Sequence, residues 1–151
     1  MRRQQRVRAV GNASALRVGI VVAQFNEDIT EKLLAGARDT LRTFKVKEHN
    51  VYVLHVHGSY ELPLASARII KRHKVHAVIA LGCIVKGETK HDEYIAHAVA
   101  QGLMDVMLSA QVPVGFGVIT ATTLRQAQAR ACGSANKGSE AARAALEAAL
   151  S

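Results

Sequence analysis

The sequence predicts an α/β fold, a three-layer α/β/α sandwich built on a four-stranded parallel sheet. Three observations predict it. Apolar runs rich in β-branched residues alternate with longer segments of helical period. The first run is nearly continuous in apolar residues instead of alternating, as a strand covered on both faces must be. No internal repeat, low-complexity tract or Pro/Ser-rich linker interrupts the series, so the units belong to one sheet. With 151 residues, 49% of them hydrophobic, the chain suits one domain over 1–151 that opens with a basic arm at 1–12, and it can bury enough apolar surface to offset its ordering entropy.

Taken in order, ALRVGIVVAQF (Ala15 to Phe25) reads as the first strand. Asn26 is placed to cap the following helix, Glu27 and Asp28 suit the positive end of its dipole, and Ile29, Leu33, Ala37 and Leu41 trace its buried face. That helix ends near Phe44. The second strand is HNVYVLHV (His49 to Val56), and the turn His57-Gly58-Ser59 leads into a helix from Tyr60 to Arg72 with Ser59 as its cap. The third strand, AVIALGCIV (Ala77 to Val85), passes through Lys86-Gly87-Glu88-Thr89 into a long helix from His91 to Ser109. Its expected buried stripe is Ile95, Val99, Leu103 and Val106. The fourth strand, VPVGFGVIT (Val112 to Thr120), precedes a short helix from Leu124 to Arg130 and an Ala-rich helix from Ser139 to Leu150.

Charge and composition narrow the function. Lys and Arg outnumber Asp and Glu by 20 to 12, a net +8 that favours anionic partners, phosphorylated metabolites among them. The greasiest stretch, Ala77 to Val85, ends at Lys86, short of the roughly 20 apolar residues of a membrane span. The basic opening MRRQQRVRAV lacks the apolar core of a secretory signal, so the cytoplasm is the expected compartment. Cys83 and Cys132 sit outside any C-x-x-C pair and are expected as free thiols. The absence of Trp and of any DNA- or RNA-reading motif argues against sequence-specific nucleic-acid recognition.

In a parallel sheet, ligands collect beyond the carboxyl ends of the strands. Those ends are Phe25-Asn26, Gly58 to Glu61, Ile84 to His91, and Phe116 to Thr120. Gly87-Glu88-Thr89 opens a helix whose unpaired N–H groups suit an anion, although an ordinary cap explains Thr89 equally well. His91 follows in the first turn, beside Asp92 and Glu93, where an imidazole suits a proton shuttle near neutral pH. Phe25, Tyr60 and Phe116 suggest a slot for a flat heterocycle, against the competing explanation of core filling. Arg130 closes the short helix and Lys137 lies in the loop beyond it, either within reach of an anion above the sheet. The pairs His55/His57 and His73/His76 read as structural or solvent-facing; the first pair shares a strand face and could touch a metal, but no third ligand of obvious spacing completes a site.

Taken together and in this order, VVAQFNEDIT, HGSYELPLA, IALGCIVKGETKHDEYIA, VPVGFGVIT, QAQARA and NKGSEAARAAL resemble the 6,7-dimethyl-8-ribityllumazine synthase family of riboflavin synthesis, over roughly Leu16 to Leu150. The resemblance implies a flavodoxin-like sheet and a cytoplasmic transferase that joins 5-amino-6-ribitylaminouracil to 3,4-dihydroxy-2-butanone 4-phosphate without cofactor or metal. It also implies roles. Phe25 stacks on the pyrimidine, Ser59, Tyr60 and Glu61 hold its polar edge and ribityl chain, and Cys83, Ile84 and Val85 line the pocket. Glu88 and Thr89 bind the phosphate, Arg130 pairs with it, His91 transfers protons, Phe116 covers the heterocycle from a neighbouring subunit, and Lys137 adds a supporting charge. The family works as homo-oligomeric pentamers, some stacked twelve at a time into an icosahedral shell, and the short loop Cys132 to Lys137 is as in shell-forming members. Gln4 to Val10 is then expected to add a strand to a neighbour's sheet. Three positions depart from the family pattern: His57 and Lys90 stand where proline is usual, and Asp92 where an aromatic or other bulky residue is common. A rival reading is a structural shell holding anionic or flavin cargo, suggested by Arg2, Arg3, Arg6 and Arg8. A flavin carrier lacks support because AQFNEDIT replaces a phosphate loop after the first strand.

Overall fold

The computed structural model describes residues 10–151, so Arg2, Arg3, Arg6 and Arg8, and all of the expected added strand except Val10, lie outside the described residues. Four strands, β1 (Val18–Ala23), β2 (Val51–Val56), β3 (Ala77–Val85) and β4 (Val114–Ala121), pair in parallel in the order β2-β1-β3-β4. Five helices join and follow them: α1 (Glu27–Thr43), α2 (Leu62–His73), α3 (His91–Ala110), α4 (Leu124–Ala129) and α5 (Lys137–Leu150). None of the described helices is long and apolar enough to cross a membrane.

The period of two along the central strands sorts their side chains into two cores. Ile20 and Val22 of β1, with Ile79 and Leu81 of β3, face Ile29, Leu33, Ala142 and Leu146 of α1 and α5. Val21, Val78 and Ala80 point the other way, against Leu62, Ile69, Val99 and Leu103 of α2 and α3. All six residues of β1 are buried, as its unbroken apolar run requires. The edge strand β2 is mostly half-buried, and its exposed His55 meets Glu31 of α1 at 3.0 Å. His73 stacks on Tyr52, and His76 Nδ1 accepts the Arg17 N–H at 2.9 Å. These two histidines are structural.

Several local expectations need correction. Asn26 precedes α1 but sits in the left-handed region (φ 61°, ψ 47°), which asparagine tolerates, and its side chain makes no cap. Instead Asn26 Nδ2 donates to the Cys83 carbonyl at 2.9 Å, tying the carboxyl ends of β1 and β3 together. Ser59 is buried and caps nothing; a short 3-10 turn (Ser59–Glu61) intervenes, Glu61 Oε2 accepts the Gly58 N–H at 3.0 Å, and α2 begins two residues later than expected, with Pro63 in its first turn. Phe116 is the third residue of β4, opposite Ala80, and does not end the strand. On α3 only Val99 and Leu103 of the expected stripe are fully buried, since the helix covers one edge of the sheet and has no second layer over it.

Lys137 begins α5 and does not lie in a loop. The reason is Asn136, whose Oδ1 accepts the Gly138 and Ser139 N–H groups at 2.8 and 3.1 Å while its Nδ2 donates to the Lys32 and Ala131 carbonyls at 3.0 and 2.8 Å. One buried amide thereby starts the last helix and fastens it to α1. Close approach at that junction demands Gly138, where a Cβ would collide with the Leu33 carbonyl. Asn136→Ala should lose the cap and leave buried backbone groups unpaired, a loss of about 2–4 kcal/mol readable from urea unfolding.

Candidate active site

Helix α1 leaves β1 on one face of the sheet, and α2 and α3 pack on the other, so a crevice opens between the ends of β1 and β3. A cleft of about 850 Å³ occupies it. The end of β1 supplies Phe25 and Asn26, the turn after β2 supplies His57 to Glu61, the end of β3 supplies Cys83, Ile84 and Val85, and the entry to α3 supplies Gly87, Thr89 and His91. Phe25, Tyr60 and Tyr94 expose 66%, 65% and 68% of their surface, so three aromatic side chains stand uncovered around the opening. Their exposure leaves ring faces free for a planar ligand.

Polar groups are arranged on the same rim. Glu61 is oriented by the Gly58 N–H, which accounts for its place in the turn after β2. Along the loop into α3, the Lys86 N–H donates to the Ala121 carbonyl at 2.8 Å, and Thr89 Oγ1 accepts the His91 N–H at 3.3 Å. The Thr89 hydroxyl therefore takes the first N–H of α3 and still has its own proton to donate. The Asp92 carboxylate lines the same end, with Oδ1 3.5 Å from the Gly87 nitrogen.

Nine of the expected residues meet in this cleft: Phe25, Ser59, Tyr60, Glu61, Cys83, Ile84, Val85, Thr89 and His91. Four do not. Glu88 is exposed outside it, and Phe116, 51% exposed, projects from the edge strand β4. Arg130, at the end of α4, accepts the Lys137 N–H through its carbonyl and leaves its side chain in solvent. Lys137 Nζ is paired with Glu140 Oε2 at 2.8 Å. Sequence reasoning passed over Tyr94 and Ala98 as site residues, although the spacing 91, 94, 95, 98 is one face of a helix and signals that they accompany His91. His57 and Asp92 stood out as departures from a pattern, yet their place in the cleft needed the fold.

A family model described as 6,7-dimethyl-8-ribityllumazine synthase matches residues 15–151. The chain belongs to that family. Curated relatives named 6,7-dimethyl-8-ribityllumazine synthase include those of Porphyromonas gingivalis, 49% identical over 133 residues (87% of this chain, 83% of the relative), and Parabacteroides distasonis, 43% identical over 140 residues (92% and 88%). A third, from Phocaeicola vulgatus, is 44% identical over 140 residues (92% and 83%). In this member of the lumazine synthase family, the Cys83 thiol is pushed up to about 11, first by burial and then by the Asp28 carboxylate. It therefore stays neutral through physiological pH and forms a wall of the cleft instead of a nucleophile. Cys132 is exposed. Thiol titration at pH 8 should find one fast-reacting cysteine per native chain and two after denaturation, with Cys83 labelling in the native protein only as the pH climbs past its raised value.

Proposed function

We propose that the chain condenses 5-amino-6-(D-ribitylamino)uracil with 3,4-dihydroxy-2-butanone 4-phosphate to give 6,7-dimethyl-8-ribityllumazine, phosphate and water, as a cytoplasmic enzyme of riboflavin synthesis. The observation that carries this reading is the gathering of nine family-pattern residues in one cleft at the sheet's switch point. Phe25 stacks on the pyrimidine, and Ser59, Tyr60 and Glu61 hold its polar edge and the ribityl chain. Cys83, Ile84 and Val85 form the apolar wall. Glu88 and Thr89 receive the butanone phosphate through backbone N–H groups at the start of α3.

The amine adds to the ketone, one water leaves to form an imine, phosphate is eliminated, and the second nitrogen attacks the carbonyl that tautomerisation leaves on the side chain, closing the ring with loss of a second water. Each step moves protons. His91, on the first turn of α3 and lining the cleft, carries some of them, while holding two reactants together in one slot supplies most of the acceleration. Arg130 and Phe116 lie outside their own chain's cleft, which supports a role in a neighbour's: Arg130 on the phosphate, Phe116 over the heterocycle. Lys137 remains a supporting charge, partly offset by Glu140.

Assembly into pentamers follows from the same reading. Exposed Met104 and Leu108 on α3 and Phe116 on β4 leave apolar surface for neighbouring copies to cover. A shell of twelve pentamers is the further stage we propose. Sedimentation velocity should show a pentamer or a multiple of it, and a monomer at micromolar concentration would contradict the arrangement. With both substrates supplied, lumazine absorbance should rise. His91→Ala should lower kcat by about 10- to 100-fold without abolishing it. Arg130→Ala should cost more, about 100-fold or greater in kcat/KM for the butanone phosphate, and a reversed ranking counts against these roles.

A further inference from the structure

We propose that Asp92 competes with the phosphate of the incoming substrate for the start of α3, and so determines how strongly the cleft selects a phosphorylated reactant. Asp92 is the second residue of α3, where a carboxylate is favoured by the helix dipole, and it lines the cleft. Its Oδ1 lies 3.5 Å from the Gly87 nitrogen, at the outer limit of a hydrogen bond. The contact is therefore weak and readily exchanged.

Gly87 itself stands in open space, with nothing within 4 Å of where a Cβ would project. Gly87 is also exposed and lines the cleft, so a ligand there can approach its backbone. That amide has one proton, and a carboxylate oxygen and a phosphate oxygen can share it only in a weakened three-centre bond. A phosphate arriving there must displace Asp92 or bind beside it against like charge. Glu93, one residue on, carries the same charge but does not line the cleft. The two neighbouring acids thus separate a local effect from a general field.

The inference rests on the proposed reaction, which brings a phosphate to this turn, and a binding experiment with inorganic phosphate tests it without turnover. Calorimetric titration of the full-length oligomer at low ionic strength should find Asp92→Asn and Asp92→Ser binding phosphate about tenfold more tightly than the parent, with the gap narrowing near about 0.5 M salt. Glu93→Gln should match the parent. In turnover, Asp92→Asn should lower KM for the butanone phosphate and leave KM for the uracil unchanged. A residue needed only to hold the loop would give the opposite sign. Unchanged, weaker or undetectable phosphate binding in both Asp92 variants overturns the proposal, as does an equal gain in Glu93→Gln. Failure of the parent to form the lumazine would sink the reaction reading by itself, and the phosphate titration would still report on Asp92.

Discussion

Asn26 Nδ2 and the Cys83 carbonyl join the carboxyl ends of β1 and β3 at the place where the chain changes direction across the sheet. From β1 the chain crosses to β2 over the α1 face, then returns over the opposite face to β3 and continues to β4. Right-handed crossovers make that change of face obligatory, because β2 and β3 lie on opposite sides of β1. The helices that follow β1 and β3 must diverge, and the space between them is left unfilled. The tether adds a side-chain bond between two strands already paired side by side, next to the crevice on which Phe25, the Ser59–Glu61 turn and the start of α3 converge.

The site divides into two chemical halves. Aromatic side chains and the apolar wall of Cys83, Ile84 and Val85 suit a flat ring, whereas the turn into α3 presents backbone donors, Thr89 and His91. Burial keeps the Cys83 thiol protonated, so the wall adds no charge at neutral pH. Charge is confined to the rim, where Glu61 and Asp92 both meet backbone N–H groups, those of Gly58 and Gly87. In this family member the Asp92 carboxylate sits at the turn into α3, on the edge of the cleft.

Individual elements show how far local reading reached. β3 runs over Ala77–Val85 as its unbroken apolar run implies, and the buried face of α1 is the one its spacing traces. The start of α5 was misplaced because Asn136 is held by Lys32 and Ala131 as well as by its own helix, and Lys32 lies more than a hundred residues away. Ser59 looked like a cap because serine usually is one, but the Gly58–Glu61 contact and Pro63 moved the start of α2. Of the site, the residues that terminate β1 and β3 or begin α3 were legible, since strand ends and helix starts have local signatures. Phe116 was not correctly placed, because strand register depends on the partner strand.

By itself the sequence determined the α/β alternation, the four strands and the family, since periodicity and ordered motifs are carried by neighbouring residues along the chain. The tertiary structure alone decided the strand order, the tether from Asn26 to Cys83, the inclusion of His57 and Asp92 in the cleft, and the exclusion of Arg130 and Lys137 from it. These depend on contacts between residues far apart in the chain, where the free energy of closing loops and filling two cores selects one arrangement among several that local preferences allow equally.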